Sequence, residues 1–262
     1  MNAYEQVALA RAKGRPTATA FISGIFEDFF ELHGDRLFGD DPAIVGGVAR
    51  LCGDAVTVIG IEKGVDTADK IARNFGSPNP EGYRKALRLM QQAEKFARPV
   101  VCIVDTSGAY CGVGAEMRGQ GSAIAQNLMA MMALKTPVVT ILIGEGGSGG
   151  ALALGVADQV WMLENAVYSV ISPEGAASII WKDAKRVREA AQALRLTAQD
   201  LLTLGVADRI FQEPAQGQPF DALYQTLRQA LKAQFAADRQ LPLDALLQAR
   251  YEKFRRIGRI DL

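Results

Sequence analysis

The 262 residues are 49% hydrophobic and 22% charged, an ordinary globular composition with length for one large domain or two small ones. The 29 basic and 29 acidic residues cancel; with no basic excess and no apolar run of ~18 residues, a nucleic-acid or membrane role is disfavoured and a cytoplasmic place expected. Three cysteines without C-x-x-C spacing (Cys52, Cys102, Cys111) and one histidine, His33, argue against disulfides, structural zinc or any other metal centre.

Residues 3–12 read as a short amphipathic helix that stops before Gly14-Arg-Pro16. A second helix is predicted from Thr19 to His33, with Phe21, Ile25, Phe29 and Leu32 on one face and Gly34 as its C-cap. After a charged turn from Asp35 to Pro42, two β-type runs, 43–51 and 55–62, flank Cys52-Gly53-Asp54 and predict an antiparallel hairpin. The stretch from Lys63 to Tyr83 is rich in glycine and proline and reads as a long functional loop. Its Lys63, Lys70 and Arg73 are a candidate surface for an acidic or carbonyl ligand. A helix follows from Pro80 to Ala97.

Two similar units of strand, glycine loop and helix come next. The first is a strand from Pro99 to Asp105, a loop from Thr106 to Gly114 and a helix over 115–134; the second begins with the β-branched run after Pro137 and continues into Gly144–Gly150 and a small-residue helix. Short connections make the two strands parallel neighbours, and a right-handed crossover sets both glycine loops at the same sheet edge. Beyond them lie strands at 159–163 and 167–171, a helix opened by Ser172 as N-cap with Pro173 at its first position, and helices over 184–193 and 197–204. A last strand at 208–211 precedes helices over 220–237 and 243–254, the latter running into the basic segment Lys253–Arg259.

The second glycine loop fits three chemistries. Gly144-x-Gly146-x-x-Gly149 with Glu164 twenty residues on matches a dinucleotide fingerprint. Gly146-x-Ser148-x-Gly150 matches a nucleophile elbow, for which His33 is the only histidine base. Backbone N–H groups unobstructed by Cβ atoms also suit an oxyanion hole. Glycine-dense runs match glycine patterns cheaply, so the loop alone does not choose.

Four segments in collinear order choose. Arg73-Asn-Phe-Gly-Ser-Pro-Asn-Pro-Glu-Gly-Tyr-Arg-Lys-Ala-Leu-Arg-Leu-Met90 is followed by Asp105-Thr-Ser-Gly-Ala-Tyr110 with Gly114-Ala-Glu-Met-Arg-Gly-Gln120. Gly144-Glu-Gly-Gly-Ser-Gly-Gly-Ala151 and Tyr168-Ser-Val-Ile-Ser-Pro-Glu-Gly175 complete the set. Together they resemble the compact carboxyltransferase α subunits of bacterial acetyl-CoA carboxylases, over residues 3–213. The resemblance implies an α/β fold of the crotonase-like (ClpP/crotonase) kind, a spiral of ββα units with added N- and C-terminal helices. It makes residues 1–262 a single carboxyltransferase domain, with N-terminal helices over 1–35, a core over 36–213 and a helical tail over 214–262.

The same resemblance implies transfer of a carboxyl group from carboxybiotin, on a separate biotin carboxyl carrier protein, to acetyl-CoA. The expected partners are a β subunit in an α2β2 heterotetramer, which holds the zinc, together with the carrier protein and biotin carboxylase. The backbone N–H groups of Gly149, Gly150 and Ala151 are then expected to form the oxyanion hole for the biotin carbonyl. Gly108 and Ala109 line the neighbouring loop, and Gly146, Gly147 and Ser148 lie on the carboxybiotin side. The chain departs from the commonest family pattern at Ser107 and Cys111, where prolines are frequent, and at Met117, where a glutamate is frequent. The runner-up is another crotonase-type acyl-CoA carboxyltransferase, hydratase or decarboxylase subunit, in which Glu116 or Glu145 would stand beside the hole.

Overall fold

The computed structural model describes residues 2–259; Met1 and the last three residues of the expected helical tail lie outside them. Asn2 opens α1 (Ala3–Ala10) through a capping box with Glu5. The apolar α2 (Ala18–Ile25) stops at Phe26, whose backbone is extended, and the chain becomes strand β1 (Glu27–Glu31). The helix predicted over 19–33 is therefore only half right. Its second half has a helical spacing of aromatics, yet those residues pair with β2 (Ile44–Leu51), Phe30 opposite Val48, so long-range pairing overrides local period. His33 consequently ends no helix: it is exposed, with Nδ1 3.0 Å from Asp40 Oδ2.

The predicted hairpin is formed by β2 and β3 (Asp54–Ile61) in antiparallel register from Leu51–Asp54 to Ile44–Ile61. Cys52 and Gly53 both have positive φ, 52° and 91°, the turn whose twist matches its flanking strands. The stretch expected as an irregular loop holds a short helix, α3 (Thr67–Ala72), capped by the Asp66 side chain. Next come α4 (Pro80–Lys95) and the fully buried β4 (Val100–Thr106). The helix predicted over 115–134 is broken at Gly119, φ 82°, into α5 (Val113–Met117) and α6 (Gln120–Ala133).

Strand β5 (Val138–Gly147) runs through the glycines that sequence reasoning places in a loop, because Glu145–Gly147 pair with β7 (Val167–Ser169). Only five residues then form the helix α7 (Ser148–Leu152), too few for a substantial macrodipole. Strand β6 (Gln159–Leu163) pairs with the first half of β5. The remainder is α8 (Pro173–Ile180), α9 (Val187–Leu194), α10 (Ala198–Thr203), β8 (Arg209–Phe211), α11 (Asp221–Asp238) and α12 (Leu243–Arg256). As predicted, Ser172 caps α8, accepting from the Gly175 N–H.

The sheet order is β1-β2-β3-β4-β5-β6-β8, antiparallel up to β3 and parallel beyond it, with β7 branching from β5. Strands β6 and β7 pair with successive halves of β5, residues 139–142 and 145–147. The tail packs into the same core: Leu223, Leu227, Leu231 and Phe235 of α11 are buried with the sheet residues, and Tyr224 meets Phe21 edge-on at 5.1 Å. Among the described residues no helix is long and apolar enough to cross a membrane.

Candidate active site

The carboxyl ends of β4 and β5 lie side by side, with Thr106 opposite Gly146. The segments that leave them touch backbone to backbone. A Cβ on Gly147 would strike the Ser107 carbonyl, and one on Gly150 would lie 2.7 Å from the Gly108 carbonyl carbon and collide with the Ala109 nitrogen. Gly144 and Gly146 are likewise hemmed in, by the Asp105 carboxylate and by Leu142 and Tyr168. Close packing thus accounts for most of the glycines. Gly149 differs, since a Cβ there would come no nearer than 3.6 Å, to Ile124 Cγ2.

Polar groups of this segment are sorted by side. Inward, the Gly149 carbonyl accepts from Ala153 N–H at 2.9 Å, that of Gly150 from the Tyr83 hydroxyl at 3.2 Å and that of Ala151 from Leu154 N–H at 3.1 Å. The Ala153 carbonyl accepts from Asn127 Nδ2 at 3.3 Å and the Leu154 carbonyl from Thr140 Oγ1 at 2.6 Å. Of the three N–H groups expected to form the hole, those of Gly149 and Gly150 stand in the first turn of α7, where the helix supplies no acceptor and no side chain caps it; that of Ala151, the fourth helical position, closes the turn on the Gly147 carbonyl. Gly150 and Ala151 are buried. The N–H groups of Gly149 and Gly150 are therefore the donors of this segment that the helix itself leaves over.

The neighbouring loop contributes unequally. The Gly108 N–H donates to Thr106 Oγ1 at 3.0 Å, and the Thr106 hydroxyl returns a bond to the Gly108 carbonyl at 3.0 Å. Of the two residues expected there, Ala109 keeps an N–H without a partner among the described residues. Ser148 and Gly149 open onto a cavity of about 430 Å³ whose other walls are mostly apolar, among them Leu152, Val160, Val206 and Phe254. On the other side Gly146 and Gly147 line a narrower recess with Arg11, Ser107, Glu145 and Ser172.

An ion network fastens the strand end behind the glycines. Lys63 Nζ lies 2.7 Å from Asp105 Oδ1 and 3.0 Å from Glu145 Oε2; Arg11 Nε lies 2.7 Å from Glu145 Oε1, and its Nη1 2.8 Å from Glu174. Asp105 also accepts the Glu145 N–H at 2.8 Å. Burial pushes the Glu145 carboxyl up, but the Lys63 charge and the Arg11 hydrogen bond outweigh it and hold the group below its usual range. Burial likewise lowers Lys63 while the Asp105 and Glu145 charges raise it, with a net rise. Glu145 is thus a paired carboxylate, and the runner-up role of a free base beside the hole does not suit it.

Other sequence-level readings separate here. Ser148 does have positive φ, 47°, at a strand-to-helix junction, but the strand leading to His33 lies four strands from β5, ~19 Å at normal strand spacing. Glu164 accepts the Glu213 N–H at 3.0 Å and forms no part of this loop cluster. Lys63 turns inward to the network and Arg73 pairs with Asp69, so the proposed ligand-binding trio is not one surface. Glu116, Cys111 and Met117 are exposed on the outer side of the first loop. Sequence reasoning missed Tyr83, Asn127 and Thr140 as supports and Arg11 as a tether. Tyr83 lies inside one of the recognised motifs, which was the available signal; for Arg11 there was none.

A family model described as "Acetyl co-enzyme A carboxylase carboxyltransferase-like" matches residues 1–258. The chain is 57% identical over 260 residues to the acetyl-coenzyme A carboxylase carboxyl transferase subunit alpha of Ruminiclostridium cellulolyticum, covering 99% of each. A relative in Natranaerobius thermophilus, named subunits beta/alpha, is 57% identical over 261 residues, which are 99% of this chain and 43% of that one. Among solved structures, transcarboxylase 12S with methylmalonyl-coenzyme A and methylmalonic acid bound superposes with a TM-score of 0.71 at 22% identity, over 89% of this chain and 44% of that one. A Pseudomonas malonate decarboxylase hetero-tetramer in complex with coenzyme A gives 0.67 at 22%, over 84% and 88%. These two likenesses establish the fold, the crotonase-like α/β architecture that the sequence motifs imply. Full-length identity and the matched family together decide the rest: the chain belongs to the acetyl-CoA carboxylase carboxyltransferase α-subunit family.

Proposed function

We propose that this chain is the α half of a carboxyltransferase that moves the carboxyl group of carboxybiotin to the methyl carbon of acetyl-CoA, giving malonyl-CoA for fatty acid synthesis. The observation that carries the reading is the pair of first-turn N–H groups at Gly149 and Gly150, which the helix leaves without an acceptor, joined by the Ala109 N–H beside a largely apolar cavity. Both features suit biotin, whose bicycle is apolar apart from its ureido group. Transfer leaves an oxyanion on that group and passes through a thioester enolate, and donors preorganised at such oxygens typically supply on the order of 10²–10³ in rate each. Carboxybiotin brings the carboxyl group and, once decarboxylated, a basic nitrogen. The chain's own part is to hold the ureido carbonyl, with Gly146, Gly147 and Ser148 walling the approach, and to exclude water through the apolar cavity.

No side-chain base is needed in this scheme, in keeping with the paired state of Glu145. The second half of the site belongs to a β subunit, in an α2β2 assembly that works in the cytoplasm with a biotin carboxyl carrier protein and biotin carboxylase. The beta/alpha name of the Natranaerobius relative supports such a partner, and zinc is assigned to that partner. The test is co-expression with the β subunit and assay of malonyl-CoA decarboxylation with free biotin as acceptor. Turnover that requires both chains and biotin is expected. A well-folded complex without it would refute the reading.

A further inference from the structure

Near their carboxyl ends β4 and β5 are out of step. Val104 lies opposite Leu142 and Thr106 opposite Gly146, so the single residue Asp105 faces three residues of β5, 143–145. Such a bulge bends the longer strand and re-aims its end. The Asp105 carboxylate fills it: Oδ1 accepts the Glu145 N–H at 2.8 Å, and a Cβ on Gly144 would lie 2.5 Å from the same oxygen. Lys63, two residues beyond β3, closes the unit by placing Nζ 2.7 Å from Asp105 Oδ1 and 3.0 Å from Glu145 Oε2. Its stem is held in turn, because Gly76 packs on it so tightly that a Cβ there would come within 2.6 Å of Lys63 Cγ.

Each half of the hole follows directly on one of these carboxylates. Ala109 stands four residues after Asp105, and Gly149 four after Glu145. We infer that Lys63 is a positioning residue for carboxyl transfer: by holding both carboxylates on one ammonium it fixes the spacing between the Ala109 N–H and the N–H groups of Gly149 and Gly150. This deepens the carboxyltransferase reading and rests on it. Charge makes the clamp specific. Two cations, Lys63 and Arg11 of α1, face three carboxylates, Asp105 of β4, Glu145 of β5 and Glu174 of α8, for a net charge of −1. Removing the ammonium leaves −2, with Asp105 and Glu145 repelling each other across the bulge. Burial raises the Glu145 carboxyl and the Lys63 charge is the strongest influence opposing it, so without the ammonium that carboxyl moves up.

The experiment uses the αβ complex in three forms: wild type, Lys63→Met, and Lys63→Met combined with Glu145→Gln, the last restoring the wild-type net charge. Displacing a group in the site by about 1 Å costs on the order of 10² in rate, so Lys63→Met is expected to lower kcat by at least about tenfold, with KM for biotin within about twofold. The deficit against wild type should shrink as pH is lowered from about 8 to about 5, because Glu145 takes up a proton and the repulsion ends. The double variant should recover to within about threefold of wild type and lack that pH dependence. Equal kcat in Lys63→Met and wild type overturns the inference, as does a loss carried by KM, or one that lower pH and the double variant both leave in place.

Amide hydrogen exchange over residues 105–110 and 145–150 is read in the same samples and needs no turnover. Faster exchange of both segments in Lys63→Met, returning to the wild-type rate in the double variant, supports the clamp; exchange unchanged from wild type overturns it. Should Lys63→Met alone fail to assemble, the double variant decides, near-wild-type kcat supporting the inference and a lasting loss overturning it. If wild type itself fails to turn over, the carboxyltransferase reading falls, and the exchange result still decides whether Lys63 fixes the two loops.

Discussion

At residue scale, neighbouring glycines in one loop do different work. Gly150 has no room for a side chain, because a Cβ would press on the Ala109 backbone nitrogen and lie 3.0 Å from the Tyr83 hydroxyl. Gly149 has room, with its nearest neighbour at 3.6 Å, and its φ is not in the region reserved for glycine. Gly150→Ala is therefore expected to lose ~1–3 kcal/mol through overpacking, a drop of about 2–10 °C in Tm, together with turnover. Gly149→Ala should melt within about 2 °C of wild type and keep most of its turnover, because its methyl would make ordinary contact with Ile124 of α6. Thermal melts and assays of the two complexes check this. Equal destabilisation by both would mean that the segment packs differently.

Turns and helices outside the site hold it in place through charge, and the segment from Asp35 to Asp41 shows how. Asp35 Oδ1 accepts the N–H groups of Leu37, Phe38 and Gly39 at 2.9, 2.8 and 2.9 Å, and Oδ2 meets Arg84 Nε of α4 at 2.7 Å. Burial opposes its charge, but the Leu37 N–H, the Arg84 guanidinium and the other two N–H groups outweigh it and hold the carboxyl at about 2. A depressed carboxylate stabilises the fold above its unfolded pKa of ~3.9, and the contribution disappears as pH falls through the folded value. Asp35→Asn should thus cost ~2 kcal/mol at pH 7, the difference from wild type shrinking between pH 4 and pH 2. Denaturant unfolding at several pH values measures it, and a pH-independent difference would contradict the assignment.

For the whole molecule, the C-terminal helices are structural members of the core. Arg250 of α12 is buried with its fork on Asp158, at 2.8 and 2.7 Å, and its remaining donors on the carbonyls of Met131, Leu134 and Thr136 at 2.6, 2.8 and 3.0 Å. One side chain thereby closes the end of α6, the start of β5 and the turn before β6. Arg250→Met is expected to destabilise by ~3–5 kcal/mol, since it strands the Asp158 charge and three carbonyls. Phe254 and Ile257, on and just after the same helix, line the cavity beside Ser148 and Gly149. The variant should therefore also weaken turnover in any fraction that stays folded, which unfolding curves and assays on purified complex separate.

What was legible in the sequence follows from how local each cause is. The Cys52-Gly53 turn, the Ser172 cap, the buried β4 and β5 runs and the adjacency of two glycine loops are set by neighbours in the chain or by short connections. The motifs identify the family for the same reason. Tertiary structure alone decided that residues 27–31 extend as an edge strand, that β5 continues through Gly147 and that Gly108 has its N–H already bonded to Thr106. It alone brought Arg11, Lys63, Asp105 and Glu145 into one network and Tyr83 under Gly150. Each of these depends on a partner remote in the chain, and neither periodicity nor composition records which remote group a carbonyl, a carboxylate or a strand edge will meet.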